Sequence, residues 1–264
     1  MYPTIEIYKL TISTYALLTV IGAVLGIYIA TRRSKMFDIG KEDTVFTSLY
    51  AGIGLLIGAK VLSLISSIPI IIEYRKLIFA SVQNFAAFFS GGFVFYGGLI
   101  GAIIGAYIYC RRYKLDFIAV LDLLAPSVPL IHGFGRLGCF SAGCCYGIEY
   151  DGPLHVVFHN AVGAPNGVAL LPIQLIGSLI NFILFTILII YGRKPRKPGR
   201  VIGLYLIFYS IIRFFLEFLR GDSARGVFFN LSTSQWISLP LLLIGFYMFY
   251  KNLKPKNTNN QVVD

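Results

Sequence analysis

Long apolar runs separated by short polar connections make up most of this chain. A helix that crosses a bilayer needs about 20 consecutive, mainly apolar residues. Seven runs approach that length, and they cover residues 10–31, 46–72, 93–110, 117–133, 168–192, 201–219 and 235–250. The pattern therefore predicts an all-α, polytopic membrane protein with about seven transmembrane helices.

Basic residues gather in alternate connections of this pattern. Cytoplasmic loops of membrane proteins retain Lys and Arg. The connections after the first, third, fifth and seventh runs contain Arg32, Arg33, Lys35, Lys41, Arg111, Arg112, Lys114, Arg193, Lys194, Arg196, Lys197, Arg200, Lys251, Lys254 and Lys256. This distribution predicts an N-terminus outside the cell and a cytoplasmic C-terminus.

The composition supports the membrane assignment and argues against nucleic acid as a partner. Of the 264 residues, 56% are hydrophobic and only 13% charged, which is too little charge for the surface of a soluble globule. The net charge of +11 lies mostly in the predicted cytoplasmic loops, so it does not indicate nucleic-acid binding. We expect a single transmembrane domain over residues 1–253 and a disordered cytoplasmic tail over residues 254–264.

Two predicted connections are longer than a helix bundle needs. Residues 73–92 mix charged and amide residues with Phe and Ala, which favours an amphipathic helix at the outer interface. Residues 134–167 follow the fourth run and include most of the stretch HGFGRLGCFSAGCCYG, residues 132–147. That stretch combines a histidine, an arginine and three cysteines in an otherwise apolar protein.

Ionisable residues inside predicted spans are costly and indicate function. The candidates are Lys60, Asp122, Arg213 and Glu217. Arg213 and Glu217 are four residues apart, so they share one helix face, and Tyr209 extends the same stripe. The stripe is either a neutralised packing pair or the wall of a polar cavity.

Arg136 adds a second guanidinium near the outer side. His132 lies one turn before it, provided that the fourth helix continues that far. Two arginines close to tyrosines and glycine N–H groups suit a phosphate-bearing ligand, and in a membrane that ligand is a phospholipid headgroup. The alternative is that Arg136 only extends toward the interface.

The cysteines Cys139, Cys144 and Cys145 admit three interpretations. A metal site with His132 is disfavoured because the spacing matches no standard pair of chelating turns. Catalytic redox chemistry is disfavoured because there is no Cys-x-x-Cys motif and a vicinal disulfide is strained. Packing or a structural disulfide beside Arg136 is the favoured interpretation, and we expect no metal and no cofactor.

The order of several short motifs resembles the prolipoprotein diacylglyceryl transferase family over nearly the whole chain. The motifs are Phe95-Tyr-Gly-Gly-Leu-Ile-Gly101, Asp122-x-x-Ala-Pro126, Gly135-Arg-x-Gly138 with Phe140, Tyr146-Gly147, Arg213-x-x-x-Glu217-Phe-x-Arg220-x-Asp222 and Ser234-Gln235-x-x-Ser238. The resemblance implies a multi-pass enzyme of the bacterial cytoplasmic membrane with its site toward the outer leaflet. There the thiol of a lipobox cysteine, in a prolipoprotein signal peptide, displaces the glycerol phosphate of phosphatidylglycerol.

The same resemblance implies roles for individual residues. Arg136 and Arg213 would stabilise the leaving phosphate, with Glu217 orienting Arg213. The implied substrate-binding residues are Tyr15, Gly97, Gly98, Cys139, Gly147, Tyr209 and Glu217.

Several positions depart from the family pattern, among them a motif that keeps Pro172, Gln174 and Leu175 but lacks the Tyr-Glu that follows in the family. Tyr96 stands where the family has histidine, Cys139 where it has asparagine, and Cys144 where it has an acid. Tyrosine, with a pKa near 10, is a poor base at neutral pH. His132 would face the same cavity as Arg136 and is the candidate replacement base. The predicted catalytic set is therefore Arg136, Arg213, His132 and Tyr96.

Two other functions remain open from the sequence. One is a family paralogue that acts on another phospholipid or acceptor. The other is a non-catalytic phospholipid-binding or transport protein. A general base and a side opening wide enough for acyl chains would favour an enzyme, whereas a continuous polar path would favour transport.

Overall fold

A computed structural model describes residues 3–7, 10–194, 196–222 and 226–251. The helices in these residues are α1 (Thr14–Arg33), α2 (Lys41–Ser66), α3 (Ile68–Ile78), α4 (Val82–Ser90), α5 (Phe95–Arg112), α6 (Phe117–Leu124), α7 (Ser127–Ala142), α8 (Ile173–Tyr191), α9 (Arg200–Glu217) and α10 (Thr233–Tyr250). The predicted mainly helical class is confirmed. The predicted tail, residues 254–264, lies outside the described residues.

Short antiparallel hairpins accompany the helices. They pair β1 (Thr4–Ile7) with β2 (Leu10–Ser13), β3 (Val156–Val157) with β4 (Ala169–Leu170), and β5 (Val227–Phe228) with β6 (Leu231–Ser232). The first precedes α1 directly, and the third precedes α10. They are an addition to the all-α prediction that a pattern of long apolar runs does not reveal.

Among the described residues, three helical segments are long and apolar enough to cross a membrane unaided. They are Thr14–Phe37, Lys41–Ser66 and Ile173–Tyr191. Two further candidates are bent pairs, α4 with α5 at 78° and α6 with α7 at 42°. The described structure thus offers three to five candidate spans, and the number seven stays a prediction.

The end of one predicted segment needs correction, and the predicted helical character of another is confirmed. The bend between α6 and α7 falls at Ala125-Pro126, where proline lacks the N–H that a continuous helix would use. Beyond it α7 continues to Ala142, so residues 134–142 are helical and do not belong to a connection. Residues 73–92 are largely helical, in α3 and α4, as predicted, whereas their place at the outer interface stays a prediction. Glycines in α7 weaken its sequence pattern, but Gly133 lies against Phe182 and Gly138 against Tyr15.

The described chain packs as two units. The first contains residues 39–117 and therefore α2 to α5. The second contains the described residues up to 38 together with those from 118 to 251, and therefore β1, β2, α1 and α6 to α10.

Close contact between α2 and α5 organises the first unit. A Cβ atom added to Gly101 would lie 2.0 Å from the Gly54 carbonyl oxygen, and one added to Gly105 would lie 2.2 Å from the Tyr50 carbonyl oxygen. The backbones approach this closely only because no side chain separates them. Gly101 and Gly105 therefore serve the packing of α5 against α2.

Two of the predicted intramembrane charges have structural partners. In the first unit, the Lys60 ammonium donates to the Phe89 and Gly91 carbonyl oxygens at 2.5 and 2.6 Å, where α4 ends. In the second unit, the Asp122 carboxylate accepts from the Gly199 and Ile202 N–H groups at 2.7 and 2.8 Å. Anions stabilise helix N-termini and cations helix C-termini, so each charge complements a helix end.

A row of packed helices positions the site residues of the second unit. Helix α1 packs against α7, α7 against α8, α8 against α9, and α9 against α10. The Ser127 hydroxyl donates to the Gly26 carbonyl oxygen at 2.7 Å, and the Ser178 hydroxyl to the Gly133 carbonyl oxygen at 2.9 Å. These bonds fix α7 against both of its neighbours.

Gly101→Ala is expected to destabilise the first unit, because the added methyl group would overlap the Gly54 carbonyl. Overpacking of this kind costs about 1–3 kcal/mol, and thermal unfolding of the purified protein in detergent would measure it. Gly52→Ala on α2 is the matched control, since nothing lies within 4 Å of its Cβ position. Equal unfolding temperatures for the two variants would contradict the close contact.

Candidate functional site

A cavity between α7, α8 and α9 brings together four of the predicted site residues. His132 and Arg136 reach it from successive turns of α7, and Tyr209 and Arg213 from successive turns of α9. Residues four apart on a helix share one face, which explains both pairs. The complete lining is His132, Arg136, Gly177, Asn181, Leu184, Tyr209, Ile212, Arg213 and Leu216.

The Arg213 guanidinium is held in place by two neighbours. Its Nη2 atom lies 2.9 Å from Oε2 of Glu217, whose side chain is only 3% exposed, and donates to the Ser234 hydroxyl at 2.7 Å. Glu217 lies on the next turn of α9, whereas Ser234 comes from α10. The predicted pair of Arg213 and Glu217 is therefore present, and Ser234 completes it.

The Arg136 guanidinium has no such partner. Among the described residues, none forms an ion pair or a hydrogen bond with it. Its aliphatic stem passes over Gly177 of α8, where an added Cβ would lie 3.7 Å from the Arg136 Cδ. The cavity therefore contains two guanidinium groups and one adjacent carboxylate, an arrangement that favours an anionic ligand such as a phosphate.

His132 is half-buried in the wall of the cavity beside these charges. Its ring centroid lies 6.0 Å from that of Tyr209. A neutral imidazole has one nitrogen that can accept a proton. Because α7 continues past residue 133, the condition under which the sequence placed His132 with Arg136 is met.

One polar residue of α8, Asn181, lines the cavity although the sequence did not single it out. The Asn181 amide lines the cavity and donates to the Gly177 carbonyl oxygen at 2.7 Å. One and two turns earlier, Ser178 and Gln174 are buried, and Gln174 donates to the Cys144 carbonyl oxygen at 2.9 Å. The sequence signal for these residues is that Gln174, Ser178 and Asn181 recur at helical spacing inside an apolar run.

Tyr15 and Gly147, two predicted substrate-binding residues, lie in the second unit, Tyr15 with an exposed side chain and Gly147 buried. Tyr15 of α1 lies against Gly138, where an added Cβ would come within 2.9 Å of its Cα atom. A Cβ added to Gly147 would lie 2.4 Å from the Leu171 carbonyl oxygen. Gly147 also pairs with Arg220 in an isolated antiparallel bridge. Both positions border the end of α7, and neither lines the cavity.

Tyr96, Gly97 and Gly98 belong to the first unit, at the start of α5. Both glycines are buried, and an added Cβ at Gly97 would lie 2.3 Å from the Gly58 carbonyl oxygen. The Gly98 N–H already donates to the Val94 carbonyl oxygen at 3.2 Å. The structure thus packs both glycines closely, and the Gly98 N–H is already hydrogen-bonded; their role in substrate binding stays a prediction.

The three cysteines of the 132–147 stretch form a cluster. The Sγ atoms of Cys139, Cys144 and Cys145 all lie within 4.8 Å of one another. All three are half-buried free thiols. Cys110 of α5 is also a free thiol, but it is buried. The disulfide considered from the sequence is not formed. The sequence showed that the three cysteines are near one another along the chain, but not that the turn after α7 brings their sulfur atoms together.

Comparisons with a family model and with individual proteins all point to the same family. The family model described as prolipoprotein diacylglyceryl transferase matches residues 3–251. A phosphatidylglycerol–prolipoprotein diacylglyceryl transferase of Clostridium tetani is 40% identical over 245 residues, which cover 92% of this chain and 94% of that protein. The Clostridium perfringens protein named transferase 2 is 34% identical, covering 94% and 93%. A Photorhabdus laumondii transferase is 31% identical, covering 94% and 91%.

Glu217→Gln is expected to destabilise the second unit, because it leaves the Arg213 charge next to Arg136 without a counter-charge. Breaking one side of a buried ion pair costs about 3 kcal/mol. Thermal unfolding in detergent would measure the loss, with the exposed Glu42→Gln as control. An unchanged unfolding temperature would show that the pair does not neutralise the site.

Proposed function

Since this chain belongs to the prolipoprotein diacylglyceryl transferase family, we propose that it transfers the diacylglyceryl group of phosphatidylglycerol to a cysteine thiol of prolipoprotein signal peptides. The observation that carries the proposal is the Arg136 guanidinium, which faces the same cavity as Arg213 but has no partner among the described residues. A phosphate diester supplies the charge that this cavity lacks.

The reaction exchanges one bond at the terminal glyceryl carbon of the diacylglyceryl group. The cysteine sulfur forms a thioether bond to that carbon as the bond from the carbon to the phosphate oxygen breaks, and glycerol phosphate leaves. Negative charge on the phosphate grows during this step. Guanidinium groups already directed at the phosphate stabilise it without reorganisation.

The two arginines divide this task. Arg213 is fixed by Glu217 and Ser234, so its position is set before the lipid binds. Arg136 is not bonded to a neighbour and is available to follow the phosphate as its charge develops. Tyr209 lines the same cavity and presents a hydroxyl group to the headgroup.

The acceptor thiol must lose its proton, because the thiolate is the nucleophile. A free cysteine has a pKa near 8.5, so most of it is protonated at neutral pH. His132 lines the cavity with both arginines and is the base that we assign to this step. Tyr96 stays a candidate on the family resemblance alone.

We also infer the setting of the reaction in the cell. The Lys and Arg residues of alternate connections support seven transmembrane helices, an outer N-terminus and a cytoplasmic C-terminus. The reaction then takes place at the outer leaflet of a bacterial cytoplasmic membrane. Phosphatidylglycerol is present there, and signal peptides emerge at that surface.

Reconstitution into liposomes tests the activity. The purified protein is given a lipobox peptide with phosphatidylglycerol, or with phosphatidylethanolamine in a parallel sample, and the mass of the peptide is followed. Diacylglyceryl addition from phosphatidylglycerol is expected. Folded protein that modifies no peptide would overturn the transferase assignment, and modification only with phosphatidylethanolamine would overturn the donor.

Arg136→Ala is expected to lower kcat by about 100-fold or more, as removal of a single charge-stabilising donor does in other enzymes. The same liposome assay measures it. Arg112→Ala, an exposed arginine at the end of α5, should leave the rate unchanged. Equal rates for Arg136→Ala and wild type would remove Arg136 from the mechanism.

His132→Gln is expected to lower the rate at neutral pH by about 100-fold, the usual contribution of a general base. Above the thiol pKa the acceptor ionises without help, so the variant should regain much of its rate at high pH. The exposed His155→Gln is the control. If Tyr96→Phe showed this pH-dependent loss and His132→Gln did not, the base would be Tyr96.

A further inference from the structure

The three-thiol cluster of Cys139, Cys144 and Cys145 plays no part in the mechanism above. Cys139 lies in the last turns of α7, and the other two follow the helix directly. None of them lines the cavity between α7, α8 and α9. The clustering of three sulfur atoms at a helix end needs its own explanation.

The backbone after α7 folds back on itself and creates the cluster. The Gly143 N–H donates to the Phe140 carbonyl oxygen at 3.1 Å, and the Cys144 N–H to the Cys139 carbonyl oxygen at 3.0 Å. With Gly143 at a φ of 66°, this is the Schellman pattern of helix termination. Cys145 is also left-handed, with a φ of 55°, and the chain turns again at that point.

Contacts from elsewhere hold this turn in place. Gln174 of α8 donates to the Cys144 carbonyl oxygen at 2.9 Å. The Gly163 and Ala164 N–H groups donate to the Gly143 carbonyl oxygen at 3.2 and 2.8 Å. A side chain at position 143 would lie 2.6 Å from the Ala161 Cβ. The three thiols are therefore positioned by the fold.

We propose that Cys139, Cys144 and Cys145 bind one thiophilic divalent cation of the Zn²⁺ class, with a fourth coordination position open to water. Zn²⁺ binds thiolates at about 2.3 Å in tetrahedral geometry, which requires sulfur atoms about 3.8 Å apart. The observed separations of at most 4.8 Å reach that value by small side-chain rotations. Three protein ligands with an open position is the arrangement of zinc sites that exchange a ligand.

The surrounding charges suit such a complex. Three thiolates and a divalent cation carry a net charge of −1. The positive charges of Arg220 and Arg136 both act on Cys145. Arg220 is oriented by Asp222 through hydrogen bonds of 2.8 and 3.1 Å. Binding releases three thiol protons to water, and nothing is oxidised or reduced.

A bound metal would also stabilise the C-terminal end of α7, the helix that carries Arg136. Cys139 is three residues after Arg136 on the same helix. A metal that joins Cys139 to the two cysteines beyond the turn prevents the last turn of α7 from fraying. The arginine proposed to bind phosphate would then lie on a helix with a fixed end.

Metal binding by the purified full-length protein tests the proposal without any substrate. The tag-free protein, reduced with a phosphine and kept anaerobic in detergent, is titrated with Co²⁺ and Zn²⁺. One equivalent is expected, with the charge-transfer absorption of cobalt thiolates. X-ray absorption of the zinc-loaded wild type should count three sulfur ligands, a result that does not depend on whether any variant folds.

Single replacements locate the site. Cys139→Ser, Cys144→Ser and Cys145→Ser should each weaken Zn²⁺ binding by about 100-fold or more, since even outer partners of a metal contribute 10 to 100-fold. Cys110→Ser, the fourth cysteine, should bind as tightly as wild type. Absence of metal uptake while all thiols remain titratable would overturn the proposal, as would uptake retained in the three serine variants. Neither result would alter the proposed transferase activity, which is measured separately.

Discussion

Positive charge exceeds negative charge in the cavity between α7, α8 and α9. Arg213 has Glu217 as a counter-ion, but Arg136 has none among the described residues. Such an arrangement is costly in a membrane protein unless an anion arrives to complete it. The phosphate of a phospholipid is such an anion, and its negative charge grows further when its ester bond to the diacylglyceryl carbon breaks.

The scaffold serves this cavity by holding three helices at fixed distances. Hydrogen bonds between side chains and carbonyl groups join α7 to α1 and to α8. Gly177 leaves room for the stem of Arg136, while Ser234 reaches Arg213 from α10. Small residues and buried hydroxyl groups therefore determine where the guanidinium groups lie, and bulky apolar residues fill the remaining space.

Helical spacing made part of the site predictable. The stripe of Tyr209, Arg213 and Glu217 followed from residues four apart in an apolar run, because lipid excludes such side chains from its own face. His132 with Arg136 followed only on the condition that α7 continued, and glycines hid that continuation. The cysteine cluster was unpredictable from spacing, since it depends on two left-handed residues after the helix. The roles of Tyr96, Gly97 and Gly98 rest on family resemblance, and the structure adds only their packing within the first unit.

If the two arginines bind the phosphate, a bound phospholipid must place it between them. A structure of the protein in a lipid nanodisc with bound phosphatidylglycerol, determined by electron cryo-microscopy, would locate it. We expect phosphate oxygens within about 3 Å of the guanidinium nitrogens of both Arg136 and Arg213. A headgroup bound outside the cavity between α7, α8 and α9, with Arg136 directed into solvent, would contradict this expectation.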